Sequence, residues 1–248
     1  MAQTLIQLES SRGYHISCLD GSMPGQRAII ICLHGFGSSK RSPKITRLHE
    51  EMKSAHVGTF TFDWPGHGDS DSGFSELTVG NCLDDLNTVY EYVRAKYQVP
   101  VWCFATSFGG YLATLYHQRH PEAFKKILLR SPALRMGKVM QSFMDHDQLR
   151  RFLSGEKLNF GFDQPLILAR DFYDDVCRYD AYFKKPLYPE KIFIIQGDID
   201  EVVPPEHTIE FARRYGIRLY LLRGADHTYS HPGNVDELMA QAKAFYLN

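Results

Sequence analysis

"WCFATSFGGY", residues 102–111, reads as a short apolar strand that runs into a serine and then into two glycines. Strand, sharp turn and helix in that order would present a serine hydroxyl at the end of a buried strand. The first glycine of a G-x-S-x-G turn is missing; Ala105 stands in its place. Positions two before and two after the serine should crowd each other in such a turn, so both must be small. Ala105 and Gly109 meet that need, and Gly110 adds room. Taken alone, the stretch fits a helix-capping serine equally well.

The segments around it supply the context. Residues 4–8 and 14–19 alternate like strands, with a turn between them. Residues 28–33 are a continuous apolar run, as in a strand buried on both faces. Further strands are predicted at 58–62, 100–104, 126–129, 191–196 and 217–222. Helices are predicted at 42–54, 78–97, 108–119, 207–215 and 233–246; in the second, apolar residues from Val79 to Val93 fall at spacings of three and four. This alternation predicts an α/β fold: one domain over 1–248, with a doubly wound, mostly parallel eight-stranded sheet. Between 129 and 191 the chain is too long for a simple crossover. It holds "RMGKVMQSFMDHDQLRRFL" (135–153), "LNFGF" (158–162) and the helix-like "PLILARDFYDDVCRYDAYF" (165–183). We expect residues 132–187 to be an inserted, lid-like subdomain over the carboxyl edge of the sheet.

Composition excludes several functions. The 248 residues carry a net charge of −1, which gives no footprint for nucleic acid or an anionic membrane. No apolar run approaches a membrane span, and the first residues lack a signal-peptide pattern. The five cysteines show no C-x-x-C spacing, which fits a reducing compartment. A cytoplasmic protein is expected, and whether it forms a homodimer is left open.

In open α/β sheets, ligands bind beyond the carboxyl ends of the strands. There this chain places His34-Gly35-Phe36-Gly37, the 63–68 loop, Ser107, the 197–204 loop and Gly224-Ala225-Asp226-His227. A serine hydroxyl needs a base to take its proton, and His227 is the candidate. A carboxylate on the second imidazole nitrogen fixes the tautomer; Asp200 is the candidate, with Asp198 and Glu201 as competitors. The developing oxyanion needs fixed donors, for which the backbone N–H groups of Phe36 and Phe108 are in place.

These motifs together resemble the α/β-hydrolase superfamily over nearly the whole chain. "LHGFGSS" resembles its oxyanion loop, "DWPGHGDSD" its D-x-x-G-H-G-x-S loop, "GDIDEVVP" its acid loop and "GADH" its histidine loop. The acid-loop spacing from Gly197 selects Asp200. Length, insertion site and "RYDAYFKKPLYPEKIFIIQGDIDEVVP" resemble small bacterial carboxylesterases, including feruloyl (cinnamoyl) esterases. Monoacylglycerol lipases and serine aminopeptidase-like hydrolases are near neighbours. The chain departs from the feruloyl esterases around the serine, with Thr106 and Phe108 where they carry His and Gln. The resemblance implies a serine carboxylesterase for small to medium acyl or hydroxycinnamoyl esters, with no cofactor and no metal. Thioester, monoacylglycerol and small-peptide hydrolysis are the alternatives, and a non-catalytic binding protein is the alternative of another class.

Other residues invite different readings. Ser70 lies in "GHGDSDSG", but no helix pattern follows it. His117 and His120 are read as surface histidines near a helix end, and His34 as a loop histidine that shapes the oxyanion turn. Among the insertion's aromatics, Phe160 and Phe162 are expected to touch substrate.

Overall fold

The computed structural model describes residues 3–159, 167, 168 and 170–248. The chain opens with a hairpin of β1 (Thr4–Glu9) and β2 (His15–Gly21), followed by β3 (Ala28–Leu33), α1 (Pro43–Lys53) and β4 (Val57–Phe62). Next come α2 (Val79–Tyr97), β5 (Val101–Thr106), α3 (Phe108–Arg119) and β6 (Ile127–Arg130). The insertion holds α4 (Met136–Ser142), α5 (His146–Leu153), β7 (Leu158–Asn159), β8 (Ile167–Leu168) and α6 (Arg170–Arg178). The chain closes with β9 (Ile192–Gly197), α7 (Pro205–Tyr215), β10 (Arg218–Leu222) and α8 (Asn234–Leu247).

Eight strands form one sheet in the order β1-β2-β4-β3-β5-β6-β9-β10. Only β1–β2 and β2–β4 pair antiparallel, so the expected mostly parallel sheet is present. The apolar runs explain the layering. Alternate side chains of a strand point to opposite faces. Ile29, Ile31 and Leu33 therefore enter one core with α2, α3 and the insertion. Ala28, Ile30 and Cys32 enter the other with α1 and α8. Each buried isoleucine or leucine among them contributes roughly 1.5–3 kcal/mol, before the entropy of ordering it is counted. Register aligns the carboxyl ends at one edge: Leu33 lies opposite Ala105, Thr106 opposite Arg130, and Arg130 opposite Ile195.

The segment between β6 and β9 differs from the sequence pattern in its helix. The helix-like stretch 165–183 contributes α6 over Arg170–Arg178, and Ile167–Leu168 instead pairs antiparallel with Leu158–Asn159. α6 packs against α2 and α4. The Asp175 carboxylate accepts the Val79 N–H at 2.6 Å, satisfying an open donor at the start of α2. The Tyr111 hydroxyl donates to the carbonyls of Val176 (3.2 Å) and Tyr179 (2.9 Å) at the end of α6. The C-terminal half of α6 is thus tied to α2 and α3.

One buried carboxylate has a measurable consequence. Asp85 on α2 is 1% exposed and accepts hydrogen bonds from Ser10 Oγ (3.0 Å) and the Tyr14 hydroxyl (2.8 Å). Burial raises its pKa from 3.8 to about 6, against the opposing hydrogen bonds. A raised carboxyl favours the fold at low pH, and that contribution is lost as pH rises through about 6. Asp85→Asn is therefore expected to be more stable than the parent at pH 8, by about 1–3 kcal/mol. The margin should narrow by roughly 1–2 kcal/mol at pH 5. Urea unfolding at the two pH values measures this, and a margin that ignores pH would show that Asp85 is not the titrating group.

Candidate active site

Ser107 sits between β5 and α3 with φ 50° and ψ −115°, a strained conformation for a residue with a side chain. Its hydroxyl makes no capping hydrogen bond to α3, so the helix-cap reading fails. Main-chain bonds hold the turn: the Ser107 N–H donates to the Arg130 carbonyl (3.0 Å), and the Ser107 carbonyl accepts the N–H of Ala133 (3.0 Å). The need for glycine has a different origin from the one expected. A Cβ on Gly109 would lie 2.6 Å from the Leu33 carbonyl oxygen and 2.7 Å from that of His34. The crowding comes from the end of β3, not from position 105, which is why Ala105 is tolerated. Gly110 faces Pro132 in the same way, at 2.7 Å.

Ser107 Oγ lies 3.1 Å from His227 Nε2, and His227 Nδ1 lies 2.9 Å from both oxygens of Asp200. With the proton on Nδ1, His227 donates to Asp200 and offers Nε2 to the serine hydroxyl. Asp200 is buried. It accepts the N–H groups of Val202 (3.0 Å) and Val203 (2.8 Å) and the Gln196 amide (2.9 Å). Burial alone would raise its pKa; the hydrogen bond and charge of His227 and the Val203 N–H outweigh it and bring it below the ordinary carboxylate value. The competing acids have other partners. Asp198 accepts the Gly224 N–H (2.6 Å) and Glu201 the His227 N–H (3.4 Å). These bonds brace the acid and histidine loops against each other. Ser70 bonds Ser72 (2.9 Å).

The loop carrying Phe36 is built on two histidines. His34 donates from Nδ1 to the Gly35 carbonyl (2.8 Å) and accepts the Trp64 N–H at Nε2 (3.2 Å). His67 donates to the Pro65 carbonyl (3.0 Å) and accepts the Gly37 N–H (3.1 Å). Each ring must be neutral to accept, and burial lowers both pKa values accordingly. Beneath them the buried Lys40 ammonium holds Asp63 (2.5 Å) and Asp69 (2.6 Å). The reading of His34 as a shaping residue holds; His67 did not stand out in the sequence, although its place in "GHG" was the available signal.

The structure also revises other readings. His117 is not at the surface: it is fully buried and bonds the Leu187 carbonyl at 2.5 Å. Among the described residues no group of three or more His, Cys, Asp or Glu side chains could hold a metal. Phe160 and Phe162 lie outside the described residues. Among the described residues, the insertion's aromatic that reaches the site is Phe172. It stacks on Phe36 (centroids 5.7 Å apart) and meets Phe108 edge-on (6.0 Å), while Phe36 meets Phe108 at 5.6 Å. Tyr182 and Phe183 instead pack near Phe211, Arg135 and Arg214, joining the insertion to α7.

A family model described as serine aminopeptidase, S33 matches residues 24–192. The chain is 32% identical over 107 residues to a Mycoplasma genitalium protein named as an esterase/lipase, covering 43% of this chain and 38% of that one. It is 30% identical over 103 residues to protein phosphatase methylesterase 1 of Candida albicans (41% and 28%). It is 23% identical over 203 residues to monoacylglycerol lipase abhd6-A of Xenopus laevis (80% and 56%). The chain thus spans less than two thirds of each of these relatives. Among solved structures, Est1E of Butyrivibrio proteoclasticus with ferulic acid bound superposes with TM-score 0.86 at 21% identity, over 98% of both chains. No helix among the described residues is long and apolar enough to cross a membrane.

Proposed function

We propose, on the premise that this chain belongs to the serine aminopeptidase (S33) family of α/β-hydrolases, that this serine hydrolase cleaves carboxylic esters through Ser107, His227 and Asp200. The observation that carries this reading is the unbroken hydrogen-bond chain from Asp200 through His227 to Ser107, at 2.9 Å and 3.1 Å.

Ser107 attacks the ester carbonyl as His227 Nε2 takes its proton. Asp200, held ionised, steadies the imidazolium and fixes the tautomer. The N–H groups of Phe36 and Phe108 receive the oxyanion. His227 protonates the leaving alcohol, and water then hydrolyses the acyl-enzyme by the same route. Phe36, Phe108 and Phe172 supply an apolar aromatic wall, which suits a small to medium acyl chain or a hydroxycinnamoyl group. In this reading the 132–187 insertion is the lid, and α6 brings Phe172 to the wall. A second reading, hydrolysis of small peptides, is favoured by the family match itself.

The test is a fluorophosphonate probe with mass spectrometry of the labelled peptide, beside a substrate panel. We expect one label per chain, on Ser107. The panel is p-nitrophenyl acetate, p-nitrophenyl octanoate, methyl ferulate, an acyl-CoA and an aminoacyl p-nitroanilide; the esters should turn over fastest. Label on another residue, or none, would overturn the site, and preference for the anilide would move the peptide reading ahead.

A further inference from the structure

We propose that Arg130 is a positioning residue that references the nucleophile and the base to one another; this rests on the reading of Ser107 and His227 given above. Arg130 is the last residue of β6, and it holds both partners at once. Its main-chain carbonyl accepts the Ser107 N–H at 3.0 Å. Its guanidinium Nη1 donates to the His227 carbonyl at 2.5 Å. The 3.1 Å contact between Ser107 Oγ and His227 Nε2 is therefore spanned by a single side chain and its own backbone.

The surroundings make this span stiff. Arg130 is 8% exposed, and its guanidinium lies over the Tyr229 ring, 5.0 Å from the centroid. Tyr229 is itself buried, and its hydroxyl bonds the Ile195 carbonyl on β9 at 3.2 Å. The histidine loop is thus clamped between a cation and the neighbouring strand.

The arrangement is costly for a merely structural contact. Among the described residues no carboxylate lies within ion-pair distance of the Arg130 guanidinium, and its Nε has no hydrogen-bond partner. A buried cation without an ion partner is stabilised less than an apolar side chain of similar volume would be. What the cation supplies is a short, charge-assisted bond of fixed direction to the residue that carries the base. Displacing reacting groups by about 1 Å costs about 10²-fold in rate, so the span has kinetic value.

The experiment compares Arg130→Met with the parent, using one fluorophosphonate probe for two readouts. The labelling end-point counts folded sites; the labelling rate measures how well Ser107 is activated. In Arg130→Met, both the labelling rate and kcat per titrated site for p-nitrophenyl acetate should fall about 10- to 100-fold, with KM within about threefold. Parental kcat and labelling rate per titrated site, even with fewer sites or a lower Tm, would reduce Arg130 to a structural role and overturn the proposal. Should the Met variant not fold, Arg130→Gln is measured the same way. Its amide nitrogen ends two bonds short of Nη1 and leaves the His227 carbonyl unheld, so the same loss is expected and parental rates again overturn the idea. Ser107→Ala run in parallel separates the two failures: activity that survives it sinks the underlying site assignment, not the role of Arg130.

Discussion

Ser107→Ala is expected to lower kcat for p-nitrophenyl acetate by about 10⁴- to 10⁶-fold while leaving the protein folded and as stable as the parent to within about 1 kcal/mol. The two halves of this expectation come from the same geometry. The hydroxyl bonds His227 and makes no cap to α3, so its removal takes away the nucleophile and no helix-end bond. The main-chain bonds that hold the turn, to Arg130 and Ala133, survive in alanine. The strained φ of 50° is nearly as costly for alanine as for serine. A capping serine would behave in the opposite way, losing about 1 kcal/mol of stability and no activity. Steady-state hydrolysis and urea unfolding of the one variant therefore discriminate between the roles. Residual turnover above background is compatible with the mechanism, because oxyanion donors and substrate binding persist.

Much of this site could be read from residue types, and the reason is local. Ser107, Asp200 and His227 each follow an apolar strand, and a parallel sheet brings the carboxyl ends of its strands to one edge whatever the details of packing. The layering was equally legible, because runs such as 28–33 are apolar on both faces. What escaped the sequence rests on contacts between distant segments. Gly109 is required by the carbonyls of Leu33 and His34, some seventy-five positions earlier. His67 reaches Gly37 across thirty positions, and Arg130 reaches His227 across ninety-seven. Phe172 is one aromatic among several in the insertion, and only the placement of α6 singles it out. Ile167 and Leu168 fit a helical or an extended pattern equally well, and pairing with β7 makes them extended.

Asp200→Asn is expected to reduce kcat/KM by about 10⁴-fold, with Ser107 and His227 both still present. The loss follows from the direction of one hydrogen bond. Asp200 only accepts, so His227 must carry its proton on Nδ1 and turn the Nε2 lone pair toward Ser107. In the variant, the amide oxygen also lies 2.9 Å from Nδ1, but its two acceptor sites are taken by the N–H groups of Val202 and Val203, which leaves the amide NH₂ to meet His227 and the Gln196 amide. An NH₂ group facing Nδ1 favours the other tautomer, whose Nε2–H donates to the serine oxygen and cannot take its proton. The imidazolium formed during attack also loses its counter-charge. Asp198→Asn and Glu201→Gln are the controls: their carboxylates meet main-chain N–H groups of the histidine loop, so losses of less than about tenfold are expected there. Should either control cost more than Asp200→Asn, the acid of this site has been misassigned. Should all three be mild, His227 would not depend on a carboxylate for its tautomer, and the proposed mechanism would lose its third member while keeping its nucleophile.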